Sequence, residues 1–136
     1  MYKALFLIVP LLFSSVCWAQ TEAETQATDA AKAWLKLVDE GKYDESWRQA
    51  ASSFRKSVGK GQWKKMVEGV REPLGAVQDR QLDSARYAET LPGAPDGEYV
   101  IIQFKTKFAN KDSAIETLTP RKDADGVWRA SGYFIR

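Results

Sequence analysis

The chain has 136 residues, 20 Lys and Arg against 18 Asp and Glu for a net charge of +2, one Cys and no His. A near-balanced, interspersed charge excludes the clustered cationic footprint of a nucleic-acid binder, and the lack of His excludes a Ser-His-Asp triad, a Cys-His pair, a histidine metal ligand and an imidazole switch. Chemistry is left to carboxylates, hydroxyls, amines and guanidinium groups, so no cofactor and no metal are expected.

The first element, "MYKALFLIVPLLFSSVCWA" (Met1–Ala19), has Lys3 near its start, an apolar run from Ala4 to Phe13 and small residues before Gln20. This three-part pattern predicts a secretory signal peptide cleaved after Ala19, with Cys17 and Ala19 at the small-residue positions. The apolar run falls short of the roughly 20 residues of a spanning helix, so no stable membrane span is expected after cleavage. A retained anchor and a lipid on Cys17 are the alternatives; against the lipid, bulky Val16 stands where a lipid-attachment box has a small residue. The expected location is periplasmic or secreted. Cys17 is the single thiol, so the exported part must fold without a disulfide.

After a flexible leader over 20–29, one domain is expected over 30–136, a length that supports a single core. "TDAAKAWLKLVDEGKY" predicts a helix with Thr28 or Asp29 as N-cap, Ala30, Ala31, Trp34, Leu37 and Val38 as its apolar face, and Gly41 as its stop. "YDESWRQAASSFRKSV" predicts a second helix, antiparallel to the first, capped by Asp44 and presenting Tyr43, Trp47, Ala50, Ala51 and Phe54. A third, shorter stripe follows the breaks at Gly59 and Gly61: Trp63, Met66, Val67 and Val70, ended by Pro73 and Gly75.

From Ala76 the period becomes two. Arg80–Leu91 reads as a polar strand near a sheet edge. After the turn at Pro95-Asp96-Gly97, "EYVIIQFKTKFANK" places Val100, Ile102, Phe104, Thr106 and Phe108 toward the helices, with Tyr99, Ile101, Gln103, Lys105 and Lys107 on the other face. Strands over Ala114–Lys122 and through the C-terminal "DGVWRASGYFIR" complete a meander. The last strand carries apolar weight on both faces, Trp128, Ala130 and Phe134 on one and Val127, Tyr133 and Ile135 on the other. That pattern predicts an inner strand, with Gly132 permitting a bulge. The expected fold class is α+β, about three helices on a curved antiparallel sheet of about four strands.

"AWLKLVDEGKYDESWRQAASSF", "REPLG", "LPGAPDGEYV" and "DGVWRASGYFIR", in that order, resemble a family of short exported bacterial proteins of unknown function, the DUF4019 group. The resemblance runs from about Ala30 to Arg136 and implies no activity, substrate or catalytic residue. The order of elements is also similar to the nuclear-transport-factor-two-like or cystatin-like cone, a likeness of topology alone.

Candidate site residues follow from the curved sheet. Its concave side is expected to gather Tyr99, Gln103, Glu116, Arg129 and Tyr133, hydrogen-bonding groups among apolar walls; the plainer reading is an Arg129–Glu116 ion pair between neighbouring strands. Arg71 either complements a helix C-terminus or binds an anion. Trp34, Trp47, Trp63 and Trp128 read as core, with Trp63, which begins its helix just after the Gly-rich break, the exception placed within reach of a ligand. Asp123-Ala-Asp125-Gly126 reads as a hairpin turn, because the remaining ligands of a calcium loop are missing. The resulting expectation is an exported non-catalytic module that binds a small ligand or a protein partner. The alternatives are an enzyme using Glu116 as base with Tyr99 or Tyr133 as donor, and an accessory homodimer without ligand.

Overall fold

The computed structural model describes residues 15–136, with side chains from Trp18 onward. The proposed signal segment therefore lies, through Ser14, outside the described residues, as does the side chain of Cys17. The elements are α1 (Ser15–Asp39), α2 (Tyr43–Arg48), α3 (Ser52–Ser57), α4 (Lys60–Leu74), β1 (Val77–Ala88), β2 (Tyr99–Phe108), β3 (Lys111–Lys122) and β4 (Trp128–Ile135). The strands form one open antiparallel sheet in the order β1-β2-β3-β4, and the helices cover one face of it, an α+β architecture. Among the described residues no helix is long and apolar enough to cross a membrane.

α1 buries Ala27, Ala31, Trp34, Leu35 and Val38 along one face, a stripe set by the 3.6-residue repeat. It starts well before Thr28 and Asp29, so neither residue is an N-cap, and the stretch expected as a flexible leader is helical. "TEAETQATDA" explains this: half of it is Ala and Glu, both good helix formers, and it contains no Gly or Pro to stop the helix. The second predicted helix is two. The chain breaks at Gln49–Ala51 because Ala50 and Ala51 are fully buried and the Ala51 N–H donates to the Ala130 carbonyl of β4 at 2.7 Å. Asp44 sits in the first turn of α2, where its charge suits the helix dipole, while Lys42 holds the N-cap position.

Three tryptophans of the helical layer are pinned by their N–H groups, whereas Trp128 is buried with its Nε1 unpaired among the described residues and Trp18 is exposed. Trp34 Nε1 donates to the Ser46 carbonyl at 2.8 Å, Trp63 Nε1 to Ser46 Oγ at 2.9 Å and Trp47 Nε1 to the Val58 carbonyl at 2.7 Å. These bonds tie α1, α2 and α4 into one layer. Ser46, buried and central to them, went unnoticed in the sequence.

The alternation of β2 is as expected: Val100, Ile102, Phe104, Thr106 and Phe108 are buried against the helices. β4 departs from expectation twice. It is an edge strand, not an inner one, held by β3 on one side and by the Ala51–Ala130 bond on the other. Its end is tied by reciprocal 2.9 Å bonds between the Ile115 and Arg136 backbones. The second departure is a bulge. The register with β3 passes from Thr119↔Gly132 to Pro120↔Ala130, leaving Ser131 as an extra residue. Pro120 has no N–H to give the ladder, and a bulge accommodates that loss. Trp128 and Ala130 thereby share the helix-covered face with Tyr133 and Ile135, and Phe134 turns outward, 53% exposed.

Candidate functional site

The inner face of the sheet carries a charged cluster inside an apolar core. Glu116 stands opposite Phe104 on β2 and Ile135 on β4, and this register fixes its side chain beneath the helices, 0% exposed. Its carboxylate accepts bonds from Arg80 Nε at 2.7 Å, Arg80 Nη2 at 3.2 Å, Thr106 Oγ1 at 2.5 Å and the Tyr133 hydroxyl. Arg80 reaches this position because it pairs with Thr106 on the core-facing side of β1. Its other bonds go to Asp39, at the end of α1, at 2.7 and 3.0 Å. Arg71, from the last turn of α4, donates to Asp39 at 2.7 Å and reaches the Tyr133 hydroxyl at 3.5 Å, with its guanidinium 5.1 Å above the centre of the Phe108 ring.

Two guanidinium groups thus face two carboxylates, and the set is neutral. Burial alone would raise the Asp39 carboxyl, but the bonds and charges of Arg80 and Arg71 outweigh burial and hold it below its usual range. Burial disfavours charge on both arginines, yet the neighbouring Asp39 and Glu116 carboxylates more than offset this, joined at Arg71 by Tyr133, so both stay firmly protonated. Burial, followed by the Glu116 charge, pushes the Tyr133 phenol well above its usual range, so it remains a hydrogen-bond donor. Glu116 therefore works as a structural hydrogen-bond acceptor. Its oxygens are occupied by four donor contacts within the protein, and a general base needs a free lone pair facing substrate.

Beside the cluster lies a cavity of about 250 Å³ between α4 and the end of β4. Its wall is mainly apolar, formed by Trp63, Met66, Val67, Val70, Phe134 and Ile135, and its polar members are Arg71 and Tyr133. Trp63 packs edge-on against Phe54 at 5.2 Å, which fixes that wall. Arg71 is 6% exposed, and its Nε is buried without a hydrogen-bond partner among the described residues.

The structure divides the predicted site residues into three groups. Trp63, Arg71 and Tyr133 meet at the cavity, with Glu116 one bond behind them. Tyr99 and Gln103 lie on the opposite face of the sheet, because β2 alternates and its inward residues are Val100, Ile102 and Phe104. Tyr99 donates to the Pro95 carbonyl at 2.6 Å and carries Arg121 over its ring at 5.4 Å, a packing role. Arg129 does not pair with Glu116; it bonds Asp125 at 2.8 Å and Asp123 at 3.1 Å, bracing the β3–β4 turn. The concave set expected from sequence is therefore corrected: only Glu116 and Tyr133 of its five members share the covered face.

Asp39, Arg80 and Thr106 were missed as parts of a site. Asp39 left a clue, since an acid in the last turn of a helix opposes the dipole and calls for a cationic partner. Arg80 left none, because the bulge in β1 between Leu82 and Ser84 hides which of its polar residues point inward.

A helical layer on an open antiparallel sheet, with a cavity at the helix–sheet mouth, defines the class of fold. Within that class, residues 30–133 match the family described as "Protein of unknown function (DUF4019)", and the chain belongs to that family. No curated protein matches it. Among solved structures, a 2.5 Å structure from Catenulispora acidiphila is similar with a TM-score of 0.58 and 14% identity, over 88% of this chain and 94% of that one. At that identity the likeness shows the fold alone.

Proposed function

We propose that the protein is an exported, non-catalytic binding module whose α4–β4 cavity takes a small amphipathic ligand, an apolar body with a carboxylate or similar acceptor at one end. The observation that carries this reading is the mainly apolar wall closed at one end by the polar side chains of Arg71 and Tyr133. A few polar groups among apolar walls is the usual make-up of a ligand site. Export rests on the signal pattern of Met1–Ala19, and N-terminal sequencing of protein from the cell envelope should begin at Gln20.

Decanoate is a suitable probe, and Trp63 in the wall is a built-in reporter. Titration should change tryptophan fluorescence saturably in the wild-type chain. Ile135→Trp, which fills the cavity, should abolish saturation by decanoate. An unchanged titration in that variant would move the site elsewhere, and an absence of saturation in the wild type would remove the ligand class.

A further inference from the structure

α4 is only half used by its own chain. Trp63, Val67 and Arg71 recur along one side and are buried, while Met66 and Val70 on the adjoining flank remain 52% and 49% exposed. By the helical repeat, Gln62, Gly69 and Pro73 share that flank, all exposed. Phe134 extends the patch across the cavity mouth. Gly69 is a poor helix residue in mid-helix, and a Cβ placed there meets nothing within 4 Å, so its own fold gives no reason for a glycine. What a glycine does allow is close approach of another backbone. Lys65 and Glu72 rim the flank on either side of Gly69, both exposed, and neither has an ion-pair partner among the described residues.

We infer that this flank is the contact with a second copy of the chain. Two α4 helices lie antiparallel about a twofold axis beside Gly69. Met66, Val70 and Phe134 form the dry centre, and Lys65 of each copy faces Glu72 of the other. The charges choose both occupant and orientation. Lys65 and Glu72 stand at nearly equal distances on opposite sides of Gly69, so the patch complements itself under a twofold operation, as an isologous contact must. A parallel arrangement would set Lys65 against Lys65 and Glu72 against Glu72. The contact shares Met66, Val70 and Phe134 with the cavity mouth, but Gly69 lies outside the cavity wall, so a change at Gly69 tests the contact with the wall left intact.

Sedimentation of the full chain should give twice the mass of one chain at about 100 µM, a concentration at which a specific contact of micromolar Kd is nearly saturated. Gly69→Arg, whose side chain has open space in one copy but blocks approach of two, should sediment as a monomer with an unchanged circular dichroism spectrum. It should also still titrate saturably with decanoate, because its cavity wall is intact, which separates this contact from the ligand reading. In a Cys17→Ser background, Gly69→Cys should form a disulfide-linked dimer when diamide is added as oxidant. Gly61→Cys, equally open in one copy but outside the flank, should not. A monomeric wild type, a dimer indifferent to Gly69→Arg, or cross-linking at Gly61 as readily as at Gly69 would each overturn the inference.

Discussion

Replacing Glu116 with Gln keeps the shape of the side chain and removes its charge, which leaves Arg80 and Arg71 sharing Asp39 alone. Breaking one partner of a buried ion pair costs about 3–5 kcal/mol, and Glu116→Gln should lose stability in that range by urea titration. Tyr133→Phe deletes one donor to the same carboxylate and should cost less, about 1.5–3 kcal/mol. A loss in Glu116→Gln no larger than in Tyr133→Phe would show that the charge is screened and the cluster wet. Asp39 gives the cluster a pH signature. Its folded pKa lies below its ordinary 3.8, so the stability it contributes is fully present above that value and is lost as pH falls through the lower, folded value. Between about pH 6 and pH 3 the wild type should therefore lose more stability than Asp39→Asn, which has no charge left to lose there. Equal losses would remove Asp39 from the account. At this scale the sequence was partly legible: Arg71 and Tyr133 stood out by type and position, while Arg80 was hidden in a strand whose bulge scrambles its alternation.

Elements were more legible than individual contacts, because a core-facing stripe repeats and a cluster does not. The face of β2 follows directly from a period of 2, and most of the α1 stripe from 3.6, although Ala27 and Leu35 are the fully buried residues where Ala30 and Leu37 were expected, and those two are half-buried. What periodicity could not show was the placing of β4. Apolar residues on both sides suggested an inner strand, whereas the bulge at Ser131 turns Phe134 outward and lets an edge strand carry the same pattern. The join between α4 and β1 offers a test of element packing. Gly75 has a φ of 77°, and a Cβ there would stand 3.0 Å from the Ala109 Cβ and 3.2 Å from Asn110 Nδ2. Gly41, ending α1, has a similar φ of 74° but open space around it. Gly41→Ala should therefore cost about 1 kcal/mol from backbone conformation alone, and Gly75→Ala about 2 kcal/mol or more, since crowding adds to strain. Thermal or urea unfolding of the pair reads the difference, and equal costs would mean that the β2–β3 hairpin yields freely to α4.

For the molecule as a whole, the helical layer has two duties that use different sides of α4. Its inner side closes the core over a neutral set of four charges, and its other flank borders the cavity and stays open at Met66 and Val70. The cluster holds Arg71 and Tyr133 rigid at the cavity end, a way of presenting donors without paying again for their order when a ligand arrives. The fold class was readable from the order of elements, but the cavity was not, since it arises where α4 fails to cover β4, and no local pattern encodes a gap. The most direct test is an amide chemical-shift titration of isotope-labelled protein with decanoate. Saturable shifts should concentrate at Trp63, Val67, Val70, Arg71 and Tyr133–Ile135; shifts confined to the outer face of the sheet around Tyr99 and Gln103, or none that saturate, would contradict the account.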